Sequence, residues 1–334
     1  MSQLFRTTKP ADEMFLKYPP NIKGEKKQLV YDLALESIAP SSDEVVISRW
    51  SAMMPQDERT VGSNPISFHF QNVFFDYQEF ESVATLKVEW HLNFADEQLF
   101  VAYGYDIFAQ DEIQCAEHPV LGSILEMLSS LSRESSIFEP LTADPDGNPT
   151  PILILGAKRH ISIDMNPRDD EGRTVNIYGN RFQEASDHIL RRACQKPSNP
   201  DPSNILAMSS LSYGNGAYSV KEIIQIILIA YTGFRAAVLE TKAHVGNNCK
   251  TVIHTGDWGC GAFGGNKTLM ASLQMLAADM ADVDALVFHS TDDSHFKAAT
   301  KILQNHWDEQ NRDLEWLIGQ LNAMEFQWGV SDGN

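Results

Sequence analysis

Positive charge is what this chain has least of: 26 lysines and arginines stand against 45 aspartates and glutamates, a formal net charge of −19 over 334 residues. So acidic a surface repels phosphate backbones and anionic membranes at long range, so neither direct nucleic-acid binding nor membrane association is expected. Cysteine is also scarce. Cys115, Cys194, Cys249 and Cys260 are widely scattered, the ten histidines form no H-E-x-x-H or Cys/His zinc spacing, and neither a metal nor a cofactor is expected. Nothing near Met1 has the charged start, apolar stretch and small-residue cleavage site of a signal peptide, so a reducing intracellular compartment, cytoplasm or nucleus, is the expected location. Long apolar runs are missing as well: the longest, 223–231, is interrupted by Gln225 and is far short of the roughly 20 residues a membrane-spanning helix needs. There is no internal repeat and no low-complexity tract.

What is present fits one large domain, or one domain with a smaller appendage, because 43% of the residues are hydrophobic and can bury a sizeable core. Residues 1–65 are poorly patterned and read as an N-terminal helical extension, with one helix over 27–37 whose Leu29, Leu33 and Ile38 suggest the apolar stripe. The main domain is expected over 66–334. Strand signals fall at 67–70, 73–75 and 84–92, the last alternating cleanly and running into Asn93-Phe94-Ala95-Asp96, which marks a functional loop. A helix is expected over 120–130, a strand over 151–156 and a polar, turn-rich loop over 166–174. Residues 220–231 form a helix apolar around most of its circumference, and so a buried one. A strand (251–254), a glycine-rich loop (256–265), a helix (267–280) and a strand (285–288) then complete one βαβ unit.

The loop holds five glycines in ten residues between a strand and a helix, where free N–H groups and the helix dipole favour phosphate oxygens without any lysine or arginine. Three families could claim it. Gly259-x-Gly261-x-x-Gly264, with Asp282 and Asp284 downstream, matches the dinucleotide fingerprint of NAD-dependent dehydrogenases, but only half a domain remains after it. Gly261 to Thr268 nearly reads as a Walker A loop, with Asn266 where glycine should precede Lys267-Thr268. The third match is far more specific. Thr255-Gly256-Asp257-Trp258-Gly259-Cys260-Gly261-Ala262-Phe263-Gly264-Gly265 resembles the T-G-N-W-G-C-G-A-F-G-G diphosphate loop of the poly(ADP-ribose) glycohydrolase family, departing only at Asp257. That resemblance implies loop amides on a diphosphate and Phe263 against the distal ribose.

The same family carries D-F-A-N, then G-G-G, then Q-E-E. Asn93-Phe94-Ala95-Asp96 aligns with the first element, and Gln110-Asp111-Glu112 follows at the family's spacing, while Phe100-Val101-Ala102 replace the three glycines. Hydrolysis of a ribosyl glycosidic bond needs a carboxyl group that protonates the leaving atom and then activates water. The resemblance implies that Glu112 is this general acid/base and that Asp111, one methylene shorter than the family's glutamate, binds the ribose. Side chains at 100–102 cannot freely reproduce a glycine conformation, and Asp96 and Asp257 add negative charge near an anionic ligand; altered substrate choice and weakened or lost catalysis are the expected consequences. Tyr231-Thr232-Gly233-Phe234 resembles a Y-C-G-F packing segment of the family. Tyr178 is either the aromatic that stacks on adenine or an ordinary strand tyrosine.

The resemblance implies an α/β macrodomain, a mixed sheet flanked by helices, that binds ADP-ribose or ADP-ribosylated protein. Its expected substrate-binding residues are Asp96, Gln110, Tyr178, Gly256, Asp257, Trp258, Gly259, Cys260, Gly261, Ala262, Phe263 and Gly264. The alternatives are an ADP-ribose-binding module without catalysis and, on the fingerprint alone, a dehydrogenase.

Overall fold

The computed structural model describes residues 2–36, 43–55, 66–81, 86–197, 202–308 and 313–333. The chain begins with β1 (Gln3–Pro10), α1 (Ala11–Lys17), α2 (Glu25–Leu35), β2 (Glu44–Trp50), β3 (Ser67–Gln71) and β4 (Lys87–Ala95). The middle supplies α3 (Gln110–Glu117), α4 (Val120–Leu131), β5 (Ile152–Lys158), β6 (Ser162–Ile163), α5 (Asp187–Ala193), β7 (Cys194–Gln195) and β8 (Pro202–Ser209). The remainder is α6 (Val220–Val245), β9 (Lys250–Gly256), α7 (Lys267–Met280), β10 (Ala285–His289), α8 (Ser294–Asp308) and α9 (Leu314–Ala323).

Eight strands form one mixed sheet in the order β1-β2-β5-β8-β4-β9-β10-β3, while β6 and β7 pair apart from it. The pairs from β8 through β4, β9 and β10 to β3 are parallel, and those joining β1, β2, β5 and β8 are antiparallel. Strand alternation sorts the core into two layers. Ile152 and Ile154 of β5 and Ile205 and Ala207 of β8 face α1–α5, while Leu153, Leu155, Leu206 and Met208 face α6, α7, α8 and α9. β10 buries all five of its residues: Leu286 and Phe288 face the helical side, and Ala285 and Val287 pack with Phe80 and Val252 on the other. The sheet with helices on both faces is the expected macrodomain-like class.

α6 starts at a capping box, where Ser219 N–H donates to Glu222 Oε2 (2.7 Å) and Glu222 N–H to Ser219 Oγ (3.3 Å). It runs 26 residues, well beyond the expected 220–231, and ends at Gly246, whose φ is 113°. By length and apolarity alone it could cross a bilayer. Here it is a core helix packed on α7, α9, β8 and β9.

Three expectations change. Residues 73–75 form a bend rather than a strand, because a short apolar run does not distinguish a ladder from aromatics folded onto the domain. Phe75 instead packs edge-on to Phe94 (6.0 Å) and against His289 (5.1 Å). The N-terminal segment contains its helix, α2, and also two strands inside the main sheet; β1 is tied to α6 by Arg6 and Gln3, whose side chains meet the buried Glu240 at 3.2 and 2.9 Å. Finally, the buried face of α2 is Lys27, Val30, Tyr31 and Ala34. Leu29 and Leu33 are only half-buried, and Ile38 lies outside the described residues.

Candidate active site

A cleft of about 670 Å³ opens where β4, β9 and β10 end at their C-terminal edges, the place where parallel α/β sheets take ligands, and its size suits a nucleotide-sized one. Lining it are Asp96, Gln110, Asp111, Glu112, Tyr178, Asp257, Trp258, Gly259, Cys260, Gly261, Ala262 and Phe263. Two segments separated by about 150 residues are thereby brought together. Of the expected site residues only Gly256 and Gly264 do not line it. Gly256 ends β9, and a Cβ there would stand 2.5 Å from the His289 carbonyl oxygen. Gly264 closes the loop from behind, its N–H donating to Gly261 O at 3.0 Å.

The glycine-rich loop folds on itself. Trp258, Cys260, Gly264 and Gly265 give their N–H groups to the carbonyls of Gly256, Asp257, Gly261 and Gly259. The N–H groups of Gly261, Ala262 and Phe263 make no hydrogen bond among the described residues, which leaves three adjacent donors on the cleft wall, a nest suited to an anion. The N-terminus of α7 itself is closed off: Asn266 Oδ1 accepts from Leu269 N–H (3.1 Å), and Asn266 N–H donates to Tyr218 Oη (2.9 Å). Trp258 is buried, with its indole N–H on Met208 O at 3.2 Å, and so anchors the loop. Burial and the neighbouring Asp257 push the Cys260 thiol up, so this is no activated nucleophile. The negative charge that Asp257 adds is met locally, by Lys267 Nζ 2.8 Å from its Oδ2.

The carboxylate segment sits at the start of α3. Gln110 spends both ends of its amide on β4, accepting from Phe94 N–H (2.9 Å) and donating to Leu92 O (3.0 Å). Asp111 accepts from Asn93 Nδ2 at 2.9 Å. Burial first, and Glu112 beside it, raise its carboxyl to about 7. Glu112 Oε2 accepts the Ala109 N–H at 2.9 Å. Burial raises this carboxyl too, against the pull of the Lys27 ammonium and of backbone N–H groups. Both residues are below 10% exposed, and both line the cleft.

Where the family has three glycines, Phe100 takes φ 52° and buries its ring completely. A non-glycine residue in the left-handed region is strained by roughly 1–2 kcal/mol, and the buried ring offsets it. Val101 and Ala102 then line the cleft. Tyr178 is not a strand residue: it precedes a 3-10 turn at Gly179–Glu184, and burial, Asp332 and Glu112 raise its hydroxyl to about 12.

Several other lining residues carry no local signal of that place: Phe74, Phe75, Tyr213, Lys267, His289 and Asp332. His289 ends a buried chain, with its Nε2 2.9 Å from His254 Nδ1 and His254 Nε2 2.8 Å from Glu89 Oε2. Each member sits on a different strand, so local sequence carries no trace of the chain.

Residues 172–298 match the family model described as Poly (ADP-ribose) glycohydrolase (PARG), Macro domain fold. That stretch includes Tyr178 and the whole glycine-rich loop; the segment from Asn93 to Glu112 precedes it. Among solved structures, poly(ADP-ribose) glycohydrolase from Thermomonospora curvata bound to the inhibitor ADP-HPD is 16% identical over 71% of this chain and 78% of its own, with a TM-score of 0.42. The Deinococcus radiodurans enzyme in complex with ADP-ribose is 13% identical over 90% of this chain and 94% of its own, at 0.41. The same enzyme in apo form is 12% identical over 88% and 96%, at 0.39.

Proposed function

We propose that this chain is an ADP-ribosyl glycohydrolase acting on ADP-ribosylated protein, mono-ADP-ribose being the favoured substrate. One observation carries the reading: the free amides of residues 261–263 and the buried carboxyls of Asp111 and Glu112 line the same cleft. The amides take diphosphate oxygens, and the ribose beyond them reaches the start of α3. There Glu112, kept protonated further up the pH scale by burial, donates to the leaving atom and then takes a proton from the water that attacks the anomeric carbon. Asp111 holds a ribose hydroxyl. The Lys267 ammonium offsets the charge of Asp257 beside the cradle.

A second reading, an ADP-ribose-binding module without catalysis, is favoured by the left-handed Phe100 and by the engagement of Glu112 with the Ala109 N–H. The dehydrogenase alternative finds little support, since β10 is the last sheet strand after the loop among the described residues. Calorimetry with ADP-ribose, followed by incubation with poly-, arginine- and serine-linked ADP-ribosylated substrates, separates the three. Wild type and Glu112→Gln should both bind ADP-ribose, and the variant should release it about a hundredfold to ten-thousandfold more slowly. Binding without release by wild type identifies the module; equal rates for the two proteins remove Glu112 from the mechanism.

A further inference from the structure

α2 places a lysine where a helix of this kind normally carries an apolar residue. Lys27, Val30, Tyr31 and Ala34 follow the i, i+3, i+4, i+7 spacing of a buried face, and Lys27 is 0% exposed. Its Nζ donates to Ile107 O at 2.7 Å and lies 4.5 and 5.6 Å from the ring centroids of Phe108 and Phe182. Those two rings stack on each other at 4.2 Å. The residues around it grip the same turn: Lys23 N–H and Gly24 N–H both donate to Gly104 O (2.8 and 3.0 Å), and Asn21 N–H donates to Tyr103 Oη at 2.6 Å. This turn joins the segment that replaces the family's glycines to the first residue of α3.

Burying an ammonium costs several kcal/mol unless it is hydrogen-bonded and balanced by charge. A methionine would fill the same volume without that cost, so packing does not account for the lysine. What faces it does. The carboxylates that act on Lys27 are those of Glu112, most strongly, then Asp111 and Asp106, and burial lowers its own titration to about 8. In return Lys27 is the largest influence holding Glu112 down. Tyr31, one turn further along α2, is also fully buried and faces Cys115, Tyr103, Asp111 and Glu112.

We infer that Lys27 is a positioning residue of the candidate active site: bonded to the Ile107 carbonyl and sandwiched against two aromatic rings, its ammonium fixes the turn entering α3 and is the counter-cation of the Asp111–Glu112 pair. The consequence for rate rests on the reading of Glu112 as the acid/base; the charge coupling does not. The N-terminal segment is then part of the catalytic apparatus rather than an appendage to it.

The test is a carboxyl-carbon NMR titration of the full chain, with Glu112 and Asp111 resonances assigned through Glu112→Gln and Asp111→Asn. In Lys27→Met, which keeps length and apolarity, removing the cation should move the pair's titration up by about one pH unit or more. The alkaline fall in ADP-ribosyl release, set by the protonated acid, should move to higher pH with it, with kcat lowered more than KM is raised. A folded Lys27→Met with an unmoved carboxyl titration would overturn the proposal and leave Lys27 as a brace for Ile107. Should that variant not fold, the reciprocal measurement decides: in Glu112→Gln the Lys27 Cε titration must fall from its wild-type value, and an unchanged value would overturn it equally. If wild type releases no ADP-ribose while the titrations shift as expected, the hydrolase reading fails and the coupling stands.

Discussion

Asp111 holds its proton into the neutral range because two carboxyls enter the protein side by side at the start of α3 and little water reaches either. Its folded value of about 7 lies above its ordinary value of 3.8, so between those limits the native state binds a proton that the unfolded chain has released. Stability therefore falls as pH rises through that window and levels off above it. Melting temperatures measured across the window should decline for wild type, and Asp111→Asn should flatten the decline, gaining on the order of a few kcal/mol at alkaline pH. Asparagine keeps an acceptor for Asn93 Nδ2, so the hydrogen bond at 2.9 Å survives the change. A wild-type profile without slope would show that Asp111 is ionised throughout.

The loop between β9 and α7 is built to a backbone shape before it is built to a composition. Gly259 has φ 74°, and a Cβ there would stand 2.4 Å from Ser210 Oγ. Gly259→Ala should cost about 1–3 kcal/mol and weaken ADP-ribose binding about tenfold, since tilting the turn re-aims the amides of residues 261–263. Gly216 makes the control: its φ is 73°, but nothing lies within 4 Å of its Cβ position. Gly216→Ala should show the strain in thermal melts and leave the calorimetric affinity unchanged; an equal affinity loss in both variants would detach the loop's shape from binding. The element opposite, the turn entering α3, meets the same demand differently. Phe100 accepts a left-handed backbone and is held there by its buried ring, which keeps the turn tight without a glycine.

Across the whole molecule, the net charge of −19 opposes any anionic ligand, while the candidate cradle offers amides and a lysine already paired with Asp257. Long-range repulsion is screened by salt, and short hydrogen bonds to amides are not. ADP-ribose should therefore associate faster, and bind more tightly, at physiological ionic strength than at low salt, as stopped-flow and calorimetric titrations would read. An affinity that drops as salt is added would assign the larger share to Lys267. The glycine-rich loop, α7 and β10 were legible in the sequence, because a strand, a turn and a helix that are chain neighbours carry their signals in neighbouring residues. The two carboxyls were legible only through their resemblance to a family motif, since an acidic tripeptide in an acidic chain has no local signature. The stripe on α2 was misread, because hydropathy assigns a lysine to water and only the tertiary neighbours of Lys27 say otherwise.

Taken alone, then, the order of residues determined the βαβ unit and its glycine-rich turn, which depend on short-range propensity and periodicity, while the mixed α/β class followed from the family resemblance. Tertiary structure decided what depends on segments far apart in the chain: that β1 and β2 join the sheet, that Phe74 and Phe75 fold onto the cleft, that Glu89, His254 and His289 connect across three strands, and that Lys27 is buried against Ile107 and Phe108. The reason is physical. A side chain's charge state and role follow from what surrounds it in three dimensions, and burial, which raises Asp111 and lowers Lys27, is a property no window of neighbouring residues contains.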